Sequence, residues 1–421
     1  MSAFVRAARV VATAILCALS LVAPTALEAG TVVQNCDASG TGSLADTIAT
    51  AATGSVIRFA FDCPTANPII VTSRLSISKN LTLDGTGHSI VISGNHTSGL
   101  FTVTLGNALT INLLTLTDAS DTTAGGSAIT NNRGTLTITN STFSNNHADF
   151  DTGGGGAIIS FGGTLTISGS TFVGNTSNGN SNGGGAILAS GLQAVRGSVT
   201  ISNSTFVGNT SNGTDAGGGA IDNEISPMTV LNDTFNGNAA SGGGALFNNF
   251  QNGGRVTIAN TIVAGNTAAT TGPDALGTYT SGGHNVIGEA DDSVGFTALT
   301  DQTGTIASPL NAALGVLANN GGQTQTEALL AGSPAIGSGD PAVCTAAPVN
   351  GLDQRGVPRK ATTCSIGAFE AQPATPNPLP GTKPTAPAAL GGPPAPLPLL
   401  PKPTVPAAAG GPSLPLPAPR P

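Results

Sequence analysis

Chemistry in this chain of 421 residues would have to come from few groups. The acidic candidates of its central part are Asp149 with Asp151, Asp215, and Asp222 with Glu224. Clustered carboxylates cleave polysaccharides in two ways. They act as an acid and base pair across a groove, or they hold calcium beside a basic proton acceptor. For the second way basic groups are few, since no Lys stands between Lys79 and Lys360 and only Arg133, Arg196 and Arg255 are basic within the five copies. The plainer expectation is that these are solvated turn carboxylates keeping a charge-poor surface soluble. No catalytic residue is therefore assigned, and Asp149, Asp151, Asp222 and Glu224 form the alternative set. His88, His96, His147 and His284 are scattered without metal spacing, so no metal is expected. The Gly-Gly-Gly runs are not phosphate cradles, since no Lys-Ser/Thr follows them, and no cofactor is implied. With 14 Lys plus Arg and a net charge of −8, nucleic acid is excluded as a partner.

The elements that must position these groups are repeats. GTLTITNSTFSNN from Gly134, GTLTISGSTFVGN from Gly163, GSVTISNSTFVGN from Gly197 and GRVTIANTIVAGN from Gly254 align, with MTVLNDTFNGN from Met228 as a fifth copy. One column holds Leu136, Leu165, Val199, Met228 and Val256; a second holds Phe143, Phe172, Phe206, Phe235 and Val263. A third holds Asn146, Asn175, Asn209, Asn238 and Asn266. The second column recurs at spacings of 29, 34, 29 and 28 residues. Apolar and Thr residues alternate in Leu-Thr-Ile, the signature of a short half-buried strand. Asn-Ser-Thr-Phe opens with turn chemistry and returns to a strand, and the Gly-Gly-Ala-Ile approach adds a third. Three short strands per copy without helical periodicity predict an all-β, right-handed parallel β-helix. Coils stacked about 4.8 Å apart put like residues above like residues. The Asn column then becomes an amide ladder, and the Phe and Leu columns become internal apolar stacks.

Leu75–Leu83 and Leu109–Thr117 read as worn coils. Ser43 to Thr53 reads as a capping helix, with Ser43 and Asp46 as a capping box and Gly54 as its stop. Extra residues at 190–196 and 250–253 are predicted to bulge on one edge, leaving Phe247 and Phe250 exposed or nearly so. Arg133, Arg196 and Arg255, at loosely equivalent places, predict a spaced row on one face. Residues 1–29 read as a signal peptide, from Arg6, Arg9 and the apolar Val10–Ala23. The cleavage site is placed near Ala26 to Gly30. Eighteen of the 28 prolines follow Glu370, so 371–421 is expected to be a disordered Pro-rich tail. Between them the chain divides into an N-terminal cap (30–74), parallel β-helix repeats (75–270) and a C-terminal end (271–370). No transmembrane segment is expected in the mature chain.

At this point a resemblance emerges. NCDASGTGSL from Asn35, FAFDCPTANPII from Phe59 and SISKNLTLDGTG from Ser76 resemble the N-terminal region of bacterial surface and secreted right-handed β-helix proteins. The GGAI and FxxN units, Gly155 to Ile158 and Phe172 to Asn175, are similar to repeats of polymorphic outer-membrane proteins. LGVLANNGGQTQTEALLAGSPAIGSGD from Leu314 and DQRGVPRKATTCSIGAFE from Asp353 resemble the choice-of-anchor Q domain. The chain departs from it at Glu327, where members often carry His, and at Gly337, where an acidic residue is common. The resemblance implies fold, export and surface residence, and little chemistry. The four cysteines outside the signal allow three connectivities. Their clustering pairs Cys36 with Cys63 and Cys344 with Cys364, each closing a loop over one cap in an oxidising compartment. The expectation is a non-enzymatic secreted or cell-surface protein, adhesive or structural, with a glycan or cell-surface component as partner. The alternative is a polysaccharide lyase or glycoside hydrolase.

Overall fold

Alternation of apolar and Thr residues produces the predicted strands, and the computed structural model shows how they stack. It describes residues 31–372 apart from 124, 150–152, 180, 182, 193 and 216. The signal segment, Asp151 and nearly all of the tail lie outside the described residues. Each repeat copy contributes four parallel segments. In the copy beginning at Gly134 they are Thr135–Thr139, Thr142–Ser144, His147–Ala148 and Ile158–Phe161. The additional, two-residue segment was not anticipated; it follows directly on the Asn column, just after the positive-φ corner at Asn145 and its equivalents. Successive copies pair in parallel and in register. Leu136 lies opposite Leu165, Leu165 opposite Val199, and Phe143 opposite Phe172. The result is an all-β, right-handed parallel β-solenoid. Leu75–Ile77, Leu81–Asp84, Ala108–Asn112 and Thr115–Thr117 are full members of it, as the worn-coil reading expected.

The core is a set of columns inside the coils. Phe143, Phe172, Phe206 and Phe235 are fully buried and stack face to face, with ring centroids 4.8, 4.7 and 4.7 Å apart. That spacing is the strand repeat, so the rings are held parallel by the backbone ladder. Two further columns bend the chain at the corners. Asn140, Gly169, Asn203, Asn232 and Asn260 all have positive φ, as do Asn145, Gly174, Gly208, Gly237 and Gly265. Asn and Gly are the residues that tolerate this conformation, which explains why these two alternate there.

The helix forms over Leu44–Thr50, shorter than expected, because the chain leaves helical geometry at Ala51 before Gly54 is reached. Ser43 Oγ accepts the Asp46 N–H at 3.2 Å, and Asp46 accepts the Gly42 N–H at 2.8 Å. Leu44 and Ile48 join the solenoid core, so the helix covers the open N-terminal end. Ser43→Ala should cost about 1 kcal/mol, read from denaturant midpoints. An unchanged midpoint would show that packing alone holds the cap. Tyr279 stacks with Phe296 near the far end, with centroids 5.1 Å apart.

The C-terminal region departs from the expected cap. Its disulfide pairs as predicted, Cys344 with Cys364, as does Cys36 with Cys63. After Gln302–Thr303 the chain turns back along the outside of the Phe-column strands. Gln354 reaches Thr171 Oγ1 at 2.9 Å and accepts from Thr205 Oγ1 at 2.6 Å; the Ala368 N–H donates to Thr234 Oγ1 at 3.0 Å. Outward threonines on successive coils therefore dock this segment on the flank, where a simple end cap was expected. A short antiparallel hairpin, Leu314–Ala318 with Thr326–Leu329, belongs to it.

Candidate functional site

The Asn column forms the ladder predicted for it. Asn146, Asn175, Asn209 and Asn238 each donate from Nδ2 to the Oδ1 of the next, at 2.9, 2.8, 2.9 and 2.9 Å, ending on Asn266. Each Oδ1 also takes a backbone N–H from the coil before, and each Nδ2 also meets a carbonyl there, so the buried amides are satisfied. Asn266 donates in turn to Asp274 Oδ1 at 2.8 Å, and Asp274 Oδ2 accepts the Glu289 N–H. An acceptor-only side chain ends the ladder because three N–H groups converge on it. Burial pushes the Asp274 carboxyl up to about 6. A second ladder lies at the opposite corner, where Ser141, Ser170, Ser204, Asp233, Thr261, Asn285 and Asp301 each accept a backbone N–H from the preceding coil.

The sequence-predicted carboxylates occupy separate strips. Asp149 lies on the surface with His147 Nε2 at 2.9 Å and Asn178 Nδ2 at 2.9 Å, and Asn178 continues to Asn212. Asp215 is exposed, and Asp151 lies outside the described residues. Asp222 sits in the strand Ile221–Asn223, in register between Leu188 and Phe247, with no solvent exposure. Burial, and then the neighbouring Glu224 carboxyl, push the Asp222 carboxyl well above the usual range. Neither of its oxygens has a hydrogen-bond donor among the described residues. Glu224 accepts from Asn249 at 3.1 Å and Asn252 at 2.7 Å, and so is braced by the second insertion. Gly253 of that insertion lies against the Arg196 guanidinium of the first, so the two do share an edge. Phe247 is half-buried, and the Phe250 side chain lies outside what is described. Arg133 and Arg196 fall at equivalent places, whereas Arg255 is paired opposite Pro227, two positions further into the strand. Among the described residues no three His, Cys, Asp or Glu side chains gather closely enough for a metal ion.

Sequence reasoning missed two clefts. One, of about 300 Å³, lies between the solenoid and the returning segment and is lined by Asn236, Asp274, Glu289 and Asn311. Behind it Glu327 Oε1 accepts from Asn236 Nδ2 at 2.9 Å, while Oε2 has no partner among the described residues. Burial pushes the Glu327 carboxyl up to about 7. The fold therefore prefers this group protonated. Its contribution is full below about pH 4.5 and is lost as pH rises through about 7. The loss is roughly 3 kcal/mol, from the pKa difference. Glu327→Gln should be the more stable protein at pH 8, with the gap closing at pH 5. Parallel stability curves for the two proteins would sink this assignment.

The other cleft, of about 600 Å³, is lined by Asp62, His88, Thr115, Asn140, Thr142 and Gln323, among others. Asp62 Oδ1 holds His88 Nδ1 at 3.2 Å and accepts the Ser89 N–H at 2.8 Å. These contacts, the Ser89 N–H first, hold the Asp62 carboxyl below its ordinary value. Twenty-six residues separate the pair, which join only because adjacent coils stack.

The Asp-Gln-Arg-Gly stretch from Asp353 is explained by docking. Asp353 accepts the Arg355, Val357 and Glu370 N–H groups, and Arg355 pairs with it at 2.5 Å while lying over Phe369. Arg359, fully buried, binds Asn203 Oδ1 at 2.8 Å and the Gly367 carbonyl at 2.8 Å. These residues build the clasp that locks the returning segment to the solenoid.

No family model and no curated protein matches the chain. Among solved structures it is similar to Jun a 1, the major allergen from cedar pollen, at 15% identity and a TM-score of 0.35, over 66% of this chain and 80% of that one.

Proposed function

We propose that this is an exported, non-enzymatic surface or secreted protein that serves a structural and adhesive role at the cell envelope. The observation that carries this reading is the polar interior. Two ladders of amides, hydroxyls and carboxylates run over successive coils beside the Phe column and commit most of the buried polar groups there to holding coil on coil. Its acidic candidates support the same reading, since Asp222 is sealed from solvent and Asp149 is tied to His147 and Asn178. Two disulfides are consistent with an oxidising extracytoplasmic setting, and among the described residues no helix is long and apolar enough to cross a membrane. The signal, cap, repeat, C-terminal and tail divisions, the polymorphic outer-membrane-like repeats and the choice-of-anchor Q likeness all belong to this proposal.

The test has two arms. Surface labelling and fractionation of the full chain should place it outside the cytoplasm. Purified protein should bind envelope material without turning over acidic or neutral glycans. Turnover abolished by Asp222→Ala or Asp149→Ala would overturn the proposal in favour of polysaccharide cleavage.

A further inference from the structure

One outward row of the solenoid consists of threonines, Thr115, Thr142, Thr171, Thr205 and Thr234, each in register with the next. The chain treats the two ends of this row differently. Thr171, Thr205 and Thr234 are buried beneath the returning segment. Thr171 Oγ1 donates to the Gln325 carbonyl at 2.6 Å and accepts from Gln354; Thr205 donates to Gln354, and Thr234 accepts a backbone N–H. Their partners are uncharged groups, some donating and some accepting. Thr115 and Thr142 are partly exposed, and their hydroxyls make no hydrogen bond among the described residues. They open into the 600 Å³ cleft, whose wall includes Gln323, two residues before the Gln325 that covers Thr171. The cleft thus continues an interface that the chain itself fills further along.

We infer that this cleft is a binding groove for a neutral glycan. This deepens the adhesive reading and rests on it. The lining combines hydroxyl, amide and backbone groups with the apolar Ile90, Leu113 and Leu114, and its one carboxylate, Asp62, faces the His88 imidazole at 3.2 Å. No Lys or Arg lines it, so nothing would neutralise an acidic polymer. A peptide adding a strand is disfavoured, because the parallel ladder already uses the backbone groups of Thr115–Thr117 and Thr142–Ser144 on both sides. A ligand dense in hydroxyls, each able to donate and accept, matches Thr115, Thr142, Asn140 and Gln323 best. His88, held through Nδ1 by Asp62, keeps Nε2 free to join them.

The full chain is titrated with neutral oligosaccharides (cello-, xylo- and malto-series), with polygalacturonate, and with an uncharged Ser/Gln-rich peptide. At least one neutral oligosaccharide should bind. Thr115→Val with Thr142→Val should weaken that binding at least tenfold, with an unchanged unfolding midpoint. Thr164→Val, exposed on a different face, should leave it intact. Undiminished binding by the double variant would remove the groove from the site. Preference for polygalacturonate or the peptide would overturn the ligand class. If no neutral oligosaccharide binds while the chain still adheres to envelope material, the groove inference fails and the adhesive reading stands; loss of adhesion as well would sink both.

Discussion

Asn209→Leu is expected to destabilise the solenoid by at least about 4 kcal/mol. Leucine keeps the branching of asparagine but carries two bulkier methyls, so lost hydrogen bonds and overpacking of the buried column act together. The change leaves the Asn175 N–H and Nδ2 without their Oδ1 acceptor, and Asn238 Oδ1 without one of its two donors, the Asn209 Nδ2. Each buried unsatisfied group costs about 1–3 kcal/mol. Position 209 lies mid-ladder, so the coils on both sides lose a partner. Asn212→Ala, on the surface, removes an exposed amide contact and should shift stability by about 0.5 kcal/mol or less. Chemical denaturation of the two variants separates the cases. Equal midpoints would show that the ladder is incidental to the fold.

Gly185→Ala should be comparably severe for a steric reason. A methyl there would run into the Gly219 carbonyl on the next coil and the backbone of Thr210. Gly156, Gly219 and Gly244 meet the same obstruction from their own neighbouring coils. Backbone is what stands in the way, so no side-chain rotation relieves the clash and coils must separate locally. The expected loss is about 3 kcal/mol or more, at the upper end for overpacking. Gly208→Ala provides the contrast. Its φ is +64° and nothing lies within 4 Å of the added carbon, so only the left-handed backbone is strained. That strain is about 1–2 kcal/mol. Gly208→Asn should cost less still, since Asn145 occupies the equivalent corner with φ of 53°. If Gly185→Ala proved the milder of the alanine substitutions, close coil approach would not be what requires glycine in that run.

Particular residues show how far the chain could be read without coordinates. The Leu, Phe and Asn columns were legible because in-register stacking makes equal spacing along the chain equivalent to contact in space. Asn146 and Asn175, found by counting, do touch. Both disulfides followed from clustering, and the helix from its cap. Asp274 was not legible as the end of the ladder, because it follows Asn266 by eight residues and so breaks the period. The serine, threonine and aspartate corner ladder was hidden by its mixed composition, since any short acceptor serves there. Asp222 read as a surface carboxylate after a Gly-Gly-Ala-Ile stretch and turned out buried, in register between Leu188 and Phe247 of the adjacent coils.

Sequence alone therefore determined the repeat, the parallel stacking, the identity of the internal columns and the pairing of the cysteines. All of these are local patterns multiplied by a period. Tertiary structure decided where the C-terminal region goes: back along the threonine row, closing three of its five positions and leaving two open. It also decided that Asp62 and His88 meet across coils, and that Glu327 is a buried acid behind Asn236. The physical reason is the same in each case. Docking of a non-repeating segment has no period to announce it, and it depends on hydroxyls and amides whose exposure is set only once the coils are wound.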